Sequence, residues 1–166
     1  MVIELRAASI SDGQEIYEMI EEIGPGENGF VNNGFNMAYS EFPNFIKDRM
    51  ALSRGDNLPP QYVPQTNYWL LIDSYPVGIG KLRHFLNDDL RKSGGHIGYS
   101  IRPSERGKGY GTVILTELLK KAAEMGISEV MLTIDLNNEP SRKVIEANKG
   151  ILSAIEDGKC TYWVNQ

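Results

Sequence analysis

The stretch Arg106-Gly107-Lys108-Gly109-Tyr110-Gly111 decides the reading of this chain. It follows the alternating apolar run His96-Ile97-Gly98-Tyr99-Ser100-Ile101 and opens a helix-patterned run from Thr112 to Met125. The glycines therefore fall at a strand-to-helix junction. A helix start leaves about four backbone N–H groups without an intrahelical partner, and the macrodipole adds roughly half a positive charge there. Glycines let such a backbone close on a bulky anion, and phosphate is the usual guest. The stretch reads as a pyrophosphate cradle.

Two familiar glycine motifs fail on spacing. A Walker loop needs G-x-x-x-x-G-K-[ST], whereas Lys108 is followed by Gly109. The dinucleotide fingerprint G-x-G-x-x-G accepts Gly107 and Gly109 but meets Thr112 where its last glycine belongs. The stretch does match R/Q-x-x-G-x-G/A through Arg106, Gly109 and Gly111, with Pro103 upstream. Downstream, Glu129 to Asp135 reads as a strand. The helix start Asn138-Glu139-Pro140-Ser141 follows, and then Val144-Ile145-Glu146-Ala147-Asn148-Lys149-Gly150. Taken in this order, the two elements resemble the GCN5-related N-acetyltransferase (GNAT) family, which pairs that cradle with an N-x-x-S/A…V-I-E-x-N-x-G segment. The resemblance covers residues 66–166 well, and the first 65 follow it by order of elements only.

The resemblance implies an α/β fold of the α+β kind. Its central sheet is mixed, mostly antiparallel, and flanked by helices on both faces. The order is β-α-α-β-β-β-α-β-α-β-β within a single domain, residues 1–166. It also implies acetyl-coenzyme A as cosubstrate and no metal. Carried over residue by residue, cofactor contacts fall on Arg106, Gly107, Lys108, Gly109, Tyr110, Gly111 and Thr112 of the cradle. They fall too on Ser100, Ile101 and Arg102 at the end of the fourth strand, where a family backbone N–H meets the thioester carbonyl, and on Asn138 and Ser141. The last two also suit helix capping. In the family this strand splays from the next one, and Gly98 is a fitting place for irregularity. Many members carry a tyrosine seven positions after the asparagine. This chain has Ile145 there, so Tyr99, Tyr110 or Tyr162 stands in as acid for the departing thiolate, or the thiolate, whose thiol has a pKa near ~8.5, leaves unaided.

The rest of the chain gives coarser signals. Val2 to Ala8 alternates like a strand. Ser11-Asp12-Gly13-Gln14 resembles a capping box before a helix whose Ile16, Met19, Ile20 and Ile23 share one face. Gly24-Pro25-Gly26 stops it, and a Gly- and Asn-rich segment runs to residue 36. Met37 to Leu52 is patterned as a helix broken at Pro43, and Arg54 to Pro64 as an internal linker. A hairpin is expected from Tyr68 to Leu86, a polar connection from Asn87 to Gly95, and a final hairpin around Asp157-Gly158.

Composition narrows the classes. A chain of 166 residues with 41% hydrophobic content suits one globular domain with a core. No apolar run reaches the ~20 residues of a membrane span. The N-terminus lacks a secretory pattern, and the single Cys160 cannot form an internal disulfide, so a cytoplasmic location is expected. Two histidines and one cysteine, far apart, make no metal cluster. Residues 1–60 carry ten acidic and four basic side chains, a net of −6, which argues against nucleic acid. Such a charge suits a cationic amine instead. The expected partner is a small-molecule or peptide amine, without nucleic acid or membrane. A homodimer is compatible with the sequence.

Acetyl transfer to an amine needs a held thioester, a stabilised oxyanion and a neutral nucleophile. An alkyl ammonium has a pKa near ~10.4, so a base must take its proton. His96 is the first candidate, since alternation puts it on one side with Gly98 and Ser100. Glu27 is the second and His84 the third, and deprotonation through water is a fourth route. By family analogy Phe30, Phe35, Arg83 and His84 line the acceptor side. Cys160 reads as a buried strand cysteine rather than a nucleophile. Two rivals share the same residues, a non-catalytic acyl-coenzyme A sensor and a binder of another phosphate ligand; a third, a purely structural interaction domain, explains the hairpins but leaves the two spaced motifs as accidents.

Overall fold

Ile16, Met19, Ile20 and Ile23 form the buried face of the first helix, α1 (Gln14–Ile23), as their spacing predicts. The computed structural model describes residues 1–166. The first sheet runs in spatial order β1 (Ile3–Ala7), β2 (Gln65–Ile72), β3 (Tyr75–Arg83) and β4 (Ile97–Ile101). The second runs β5 (Glu129–Asp135), β7 (Lys159–Asn165) and β6 (Ile151–Glu156). Every pairing within them is antiparallel.

Helices cover both faces. α1 and α2 (Phe42–Arg54) pack on Trp69, Leu71 and Ile79. On the other face, α4 (Tyr110–Glu124) and α5 (Glu139–Ala147) close over Leu70, Leu82, Ile97 and Leu132. Two apolar clusters therefore sandwich the first sheet, and the alternation of β2 supplies both. The expected order of elements holds, with one addition. The polar connection after β3 contains a single helical turn, α3 (Asp88–Lys92), capped by the Asn87 side chain, which accepts the Leu90 N–H at 2.9 Å.

Two local expectations are corrected. Pro43 does not break a helix begun at Met37. It sits in the first turn of α2, after a short 3-10 turn at Tyr39–Glu41, where its missing N–H costs nothing. The capping box before α1 is also absent: Gly13 is the cap and makes no side-chain bond. Asp12 instead accepts the Trp69 indole N–H at 2.7 Å and the Ser9 N–H at 2.8 Å, and pairs with Arg6 at 3.0 Å. It fastens the first strand-helix connection to the buried tryptophan.

The two sheets meet at one short seam. Gly95 bridges to Leu132, and the His96 N–H donates to the Met131 carbonyl at 2.8 Å. Gly95 has φ +60°, and a Cβ there would lie 2.3 Å from the Met131 oxygen. Only glycine allows this approach. Beyond the seam no ladder joins β4 to β5, so a gap opens between them.

Candidate active site

The gap leads into a cavity of about 640 Å³. Its walls are the cradle from Glu105 to Thr112, the cleft side of β4, residues 132–135 of β5, the start of α5, and the loop from Glu27 to Val31. Segments distant in sequence thus meet in one chamber.

The cradle has the geometry its glycines predict. Gly107 (φ +77°) and Gly109 (φ +84°) are left-handed, and Gly109 is the residue before α4 begins. The N–H groups of Gly107, Lys108, Gly109, Tyr110, Gly111 and Thr112 have no partner in the protein, and the first amide re-engaged is that of Val113, which donates to Gly109 at 3.3 Å. Unpaired amides at a helix start form an anion site. Arg106 is fixed beside them: its Nε donates to the Ile101 carbonyl at 3.0 Å, and its Nη1 pairs with Glu27 at 2.8 Å. Lys108 points elsewhere. It is not part of the cavity wall and pairs with Glu105 at 2.7 Å on the surface.

Ladder parity decides which strand amides face the gap. Arg102 N–H donates to Val77 of β3, and Lys81 opposes Gly98 in register. The main-chain groups of Gly98, Ser100 and Arg102 are therefore turned to β3, and those of Ile97, Tyr99 and Ile101 face the cleft. Of the three expected cofactor contacts on this strand, Ile101 keeps a cleft-facing N–H, its carbonyl being taken by Arg106. Ser100 lines the cavity while its amide is turned to β3. Arg102 leaves the site altogether, since its buried guanidinium donates to the Pro76 carbonyl and pairs with Glu22, each at 3.0 Å. Asn138 and Ser141 both line the cavity, and the Asn138 side chain accepts the Ser141 N–H at 3.4 Å, so capping and lining coexist.

His96 is not placed as a base. It lies outside the cavity wall and is 6% exposed. Its Nδ1 accepts the Met131 N–H at 3.0 Å, so the lone pair a base would use is already engaged. Burial, with the charges of Arg91 and Arg83, lowers its pKa to about 4. The ring is neutral and staples the two sheets. Glu27 does line the cavity, paired to Arg106 at the cradle end.

The tyrosines separate clearly. Tyr162 OH donates to Glu146 at 2.9 Å and accepts from Arg142 at 3.0 Å, with its ring in the core. Tyr110 lines the cavity at the first position of α4. Tyr99 lines it too, and its hydroxyl is buried without a hydrogen-bond partner. Ser141 lies beside that hydroxyl, outside hydrogen-bond geometry. Burial raises the phenol's pKa, with Ser141 acting in the opposite sense, so the proton is held. Ile145, where a tyrosine was expected, is fully buried in the core.

Of the expected acceptor residues, Phe30 and Arg83 line the cavity, whereas Phe35 and His84 do not. Phe35 is partly exposed. His84 Nε2 is 2.8 Å from Thr66 Oγ1 on the neighbouring strand. The sequence reading missed Lys81. This lysine is 6% exposed on β3, with its Nζ over the Phe30 ring at 4.6 Å. It donates to the Val31 carbonyl and, at 3.1 Å, to Asn33 Oδ1. A lysine inside the otherwise apolar run Val77-Gly78-Ile79-Gly80-Lys81-Leu82 was the available signal. The acidic first third does not gather into a site: Glu22 and Glu27 are each tied to an arginine.

No metal-like cluster of His, Cys, Asp and Glu occurs, and no helix is long and apolar enough to cross a membrane. A family model described as "Acetyltransferase (GNAT) domain" matches residues 30–150. Among curated proteins no sequence matches. Solved structures with the same fold include a ribosomal L7/L12 alpha-N-protein acetyltransferase, RimL, in complex with coenzyme A. It has a TM-score of 0.72 at 17% identity, covering 99% of this chain and 94% of that one. Campylobacter jejuni N-acetyltransferase PseH in complex with acetyl coenzyme A gives 0.67 at 14%, covering 99% of both chains. YncA of Salmonella typhimurium, described as a putative acetyltransferase with its cofactor acetyl-CoA, gives 0.63 at 14%, covering 99% and 94%.

Proposed function

Because the chain belongs to the acetyltransferase (GNAT) family, we propose that it moves the acetyl group of acetyl-coenzyme A to a primary amine by direct attack in a ternary complex. The observation that carries this reading is that one cavity gathers six unpartnered cradle amides, the free edge of β4 and the start of α5. These residues fit the cosubstrate. The amides from Gly107 to Thr112 hold its pyrophosphate, and the cleft-facing groups of Ile97, Tyr99 and Ile101 run along its pantetheine arm. Bound, acetyl-coenzyme A supplies an electrophilic thioester carbonyl.

The chain's own residues then do three things. The N–H of Tyr99 or Ile101, fixed at the strand edge, donates to the carbonyl oxygen as it gains charge, and such preorganised donors contribute roughly 2.7–4 kcal/mol each. Glu27 relays the ammonium proton to solvent through water in the open cavity. The Tyr99 hydroxyl gives its proton to the departing sulfur as the carbon–sulfur bond breaks, and the proton shed by the acetylated nitrogen as the amide forms restores the phenol through water. Its burial without a partner is what suits it, because a desolvated phenol stays protonated until an anion appears beside it.

The test is release of free thiol from acetyl-coenzyme A with a panel of primary amines. Turnover with at least one amine is expected, and Glu27→Gln should lower kcat by less than about tenfold, where a direct base would cost roughly 10²–10⁴. Binding without turnover across the panel would favour an acyl-coenzyme A sensor.

A further inference from the structure

The charges around the cavity do not balance. It is lined by the carboxylates of Glu27, Glu105 and Asp135, and each is already paired: with Arg106 at 2.8 Å, Lys108 at 2.7 Å and Lys159 at 3.3 Å. Two cations of the same wall have no such partner. Lys81 and Arg83 lie two residues apart on β3, so they project from one face of the strand, and both line the cavity. Neither takes part in any of the nine ion pairs of the molecule.

A buried cation without a counterion is costly. Proteins normally pair such a group or shed its charge. Lys81 has only neutral neighbours to hold it, namely the Val31 carbonyl, Asn33 Oδ1 and the face of Phe30. Arg83 Nη1 donates to the carbonyls of Gly94 and Gly95, both at 3.2 Å. Its Nε and Nη2 make no hydrogen bond, which leaves one edge of the fork free. Burial, reinforced by the charges of Arg83 and Arg49, lowers the Lys81 pKa to about 7. The arrangement is strained electrostatically as it stands, and an anion would relieve it.

Position says what that anion belongs to. Lys81 opposes Gly98 on β4, and the space over Gly98 is occupied by Phe30, whose ring carbon would lie 3.6 Å from a Cβ there. Lys81, Phe30 and Gly98 thus form one wall, on the α1–α2 side of the sheet. The Tyr99 hydroxyl and Ser141 lie on the other side, towards α4 and α5. Arg83 also lines a second cavity of about 580 Å³, between α2, the segment from Leu58 to Gln65 and α3. Asp48, Asp56 and Asp89 line that second space along with Arg49, whereas no carboxylate pairs with Lys81 or Arg83 on the near side, so an anion is favoured on the Lys81 side of Arg83.

We propose that Lys81 and Arg83 form an anion subsite for the acceptor, so that the amine acetylated by this protein carries a carboxylate or phosphate of its own. This rests on the acetyltransferase reading above and narrows it from amines in general to anionic amines. Unfunctionalised alkylamines and polycationic amines are poor fits to this wall.

The experiment compares matched acceptors. Thiol release is measured with butylamine against 4-aminobutyrate, and with ethanolamine against phosphoethanolamine, on wild type and on Lys81→Met and Arg83→Lys. Methionine is close to lysine in length and removes a buried charge, so this variant is expected to fold. The anionic member of at least one pair should have a kcat/KM at least about tenfold higher on wild type, the scale of a charge-assisted hydrogen bond. That ratio should fall towards one in Lys81→Met and be reduced in Arg83→Lys. Equal kcat/KM within both pairs on wild type, or a preference that survives in both variants, overturns the proposal. The same acceptors are titrated calorimetrically into each protein without acetyl-coenzyme A. Anion-selective binding lost in Lys81→Met supports the subsite even if no amine is turned over, and absence of selective binding counts against it even if amines are acetylated. Failure of the subsite and failure of the enzymatic reading are thereby told apart.

Discussion

The two ends of the cavity are built by different means. The cradle end is built from backbone: consecutive amides from Gly107 to Thr112, shaped by two left-handed glycines at a helix start. The end proposed to take the acceptor is built from side chains, with Phe30 from a loop, Lys81 and Arg83 from β3, and the cleft wall of β5. Backbone recognition is local, so it leaves a short signature that can be read off the chain. Side-chain recognition is assembled from distant segments and leaves only scattered oddities, such as one lysine in an apolar strand. The cradle end is anion-seeking by dipole and amide, the acceptor end by unpaired cations.

Gly109→Glu should separate the ends most sharply. It forces a non-glycine residue into φ +84° and puts a carboxylate into the cradle. Like charges facing each other cost several kcal/mol, so kcat/KM for acetyl-coenzyme A is expected to fall about 100-fold or more. Anionic acceptor binding, read by calorimetry, should change little. Parallel loss of both would mean that the two ends are not independent.

Tyr99→Phe comes next. General acids contribute roughly 10²–10⁴, but a thiol of pKa near ~8.5 leaves fairly well unaided. A fall in kcat of about 10–100-fold is expected, with KM for the amine unchanged. Full activity in the variant would return the acid role to solvent.

His96→Leu tests the opposite kind of residue. It strands the buried Met131 N–H, at a cost of about 1–3 kcal/mol, so Tm should drop by several degrees. The pH profile of kcat in the folded variant should match wild type, whereas loss of the acidic limb would restore His96 as a base.

Lys81→Met has a signed stability signature. The ammonium titrates at about 7 in the folded protein against an ordinary 10.5. Between those values the unfolded chain holds a proton that the folded one has released, so this group makes stability rise with pH. Below pH 7 both states are charged and the burial penalty is fully present. The stability of Lys81→Met relative to wild type should therefore be highest near pH 6. It should decline by up to a few kcal/mol towards pH 10, as followed by urea denaturation. A pH-independent difference would mean that Lys81 is not desolvated as described.

Most of the fold was legible because periodicity is a local property. β5 falls on residues 129–135 as read from Glu129-Val130-Met131-Leu132-Thr133-Ile134-Asp135, and the apolar face of α1 is the one its spacing gives. α3 escaped notice because one turn has no period to detect, although its cap Asn87 was visible. The site was legible where recognition runs through the main chain. It was less so where a partner decides the role. Alternation gave His96 a side of the strand but not the Met131 amide that occupies it. Nor did it say that β3 claims Ser100 and Arg102, leaving Tyr99 and Ile101 to the cleft. Glu27 was singled out from an acidic loop, but its pairing with Arg106 is a tertiary fact. Lys81 needed both strands and the loop in place before its isolation was apparent.

The most direct measurement is calorimetric titration of the wild-type protein with acetyl-coenzyme A, with ATP and desulfo-coenzyme A alongside. The account predicts saturable binding of acetyl-coenzyme A at one site, retained by desulfo-coenzyme A because the cradle and strand edge hold everything but the sulfur, and much weaker binding of ATP. Equal affinity for ATP, or no binding of acetyl-coenzyme A, would contradict it and reduce the glycine-rich turn to an unspecialised helix start.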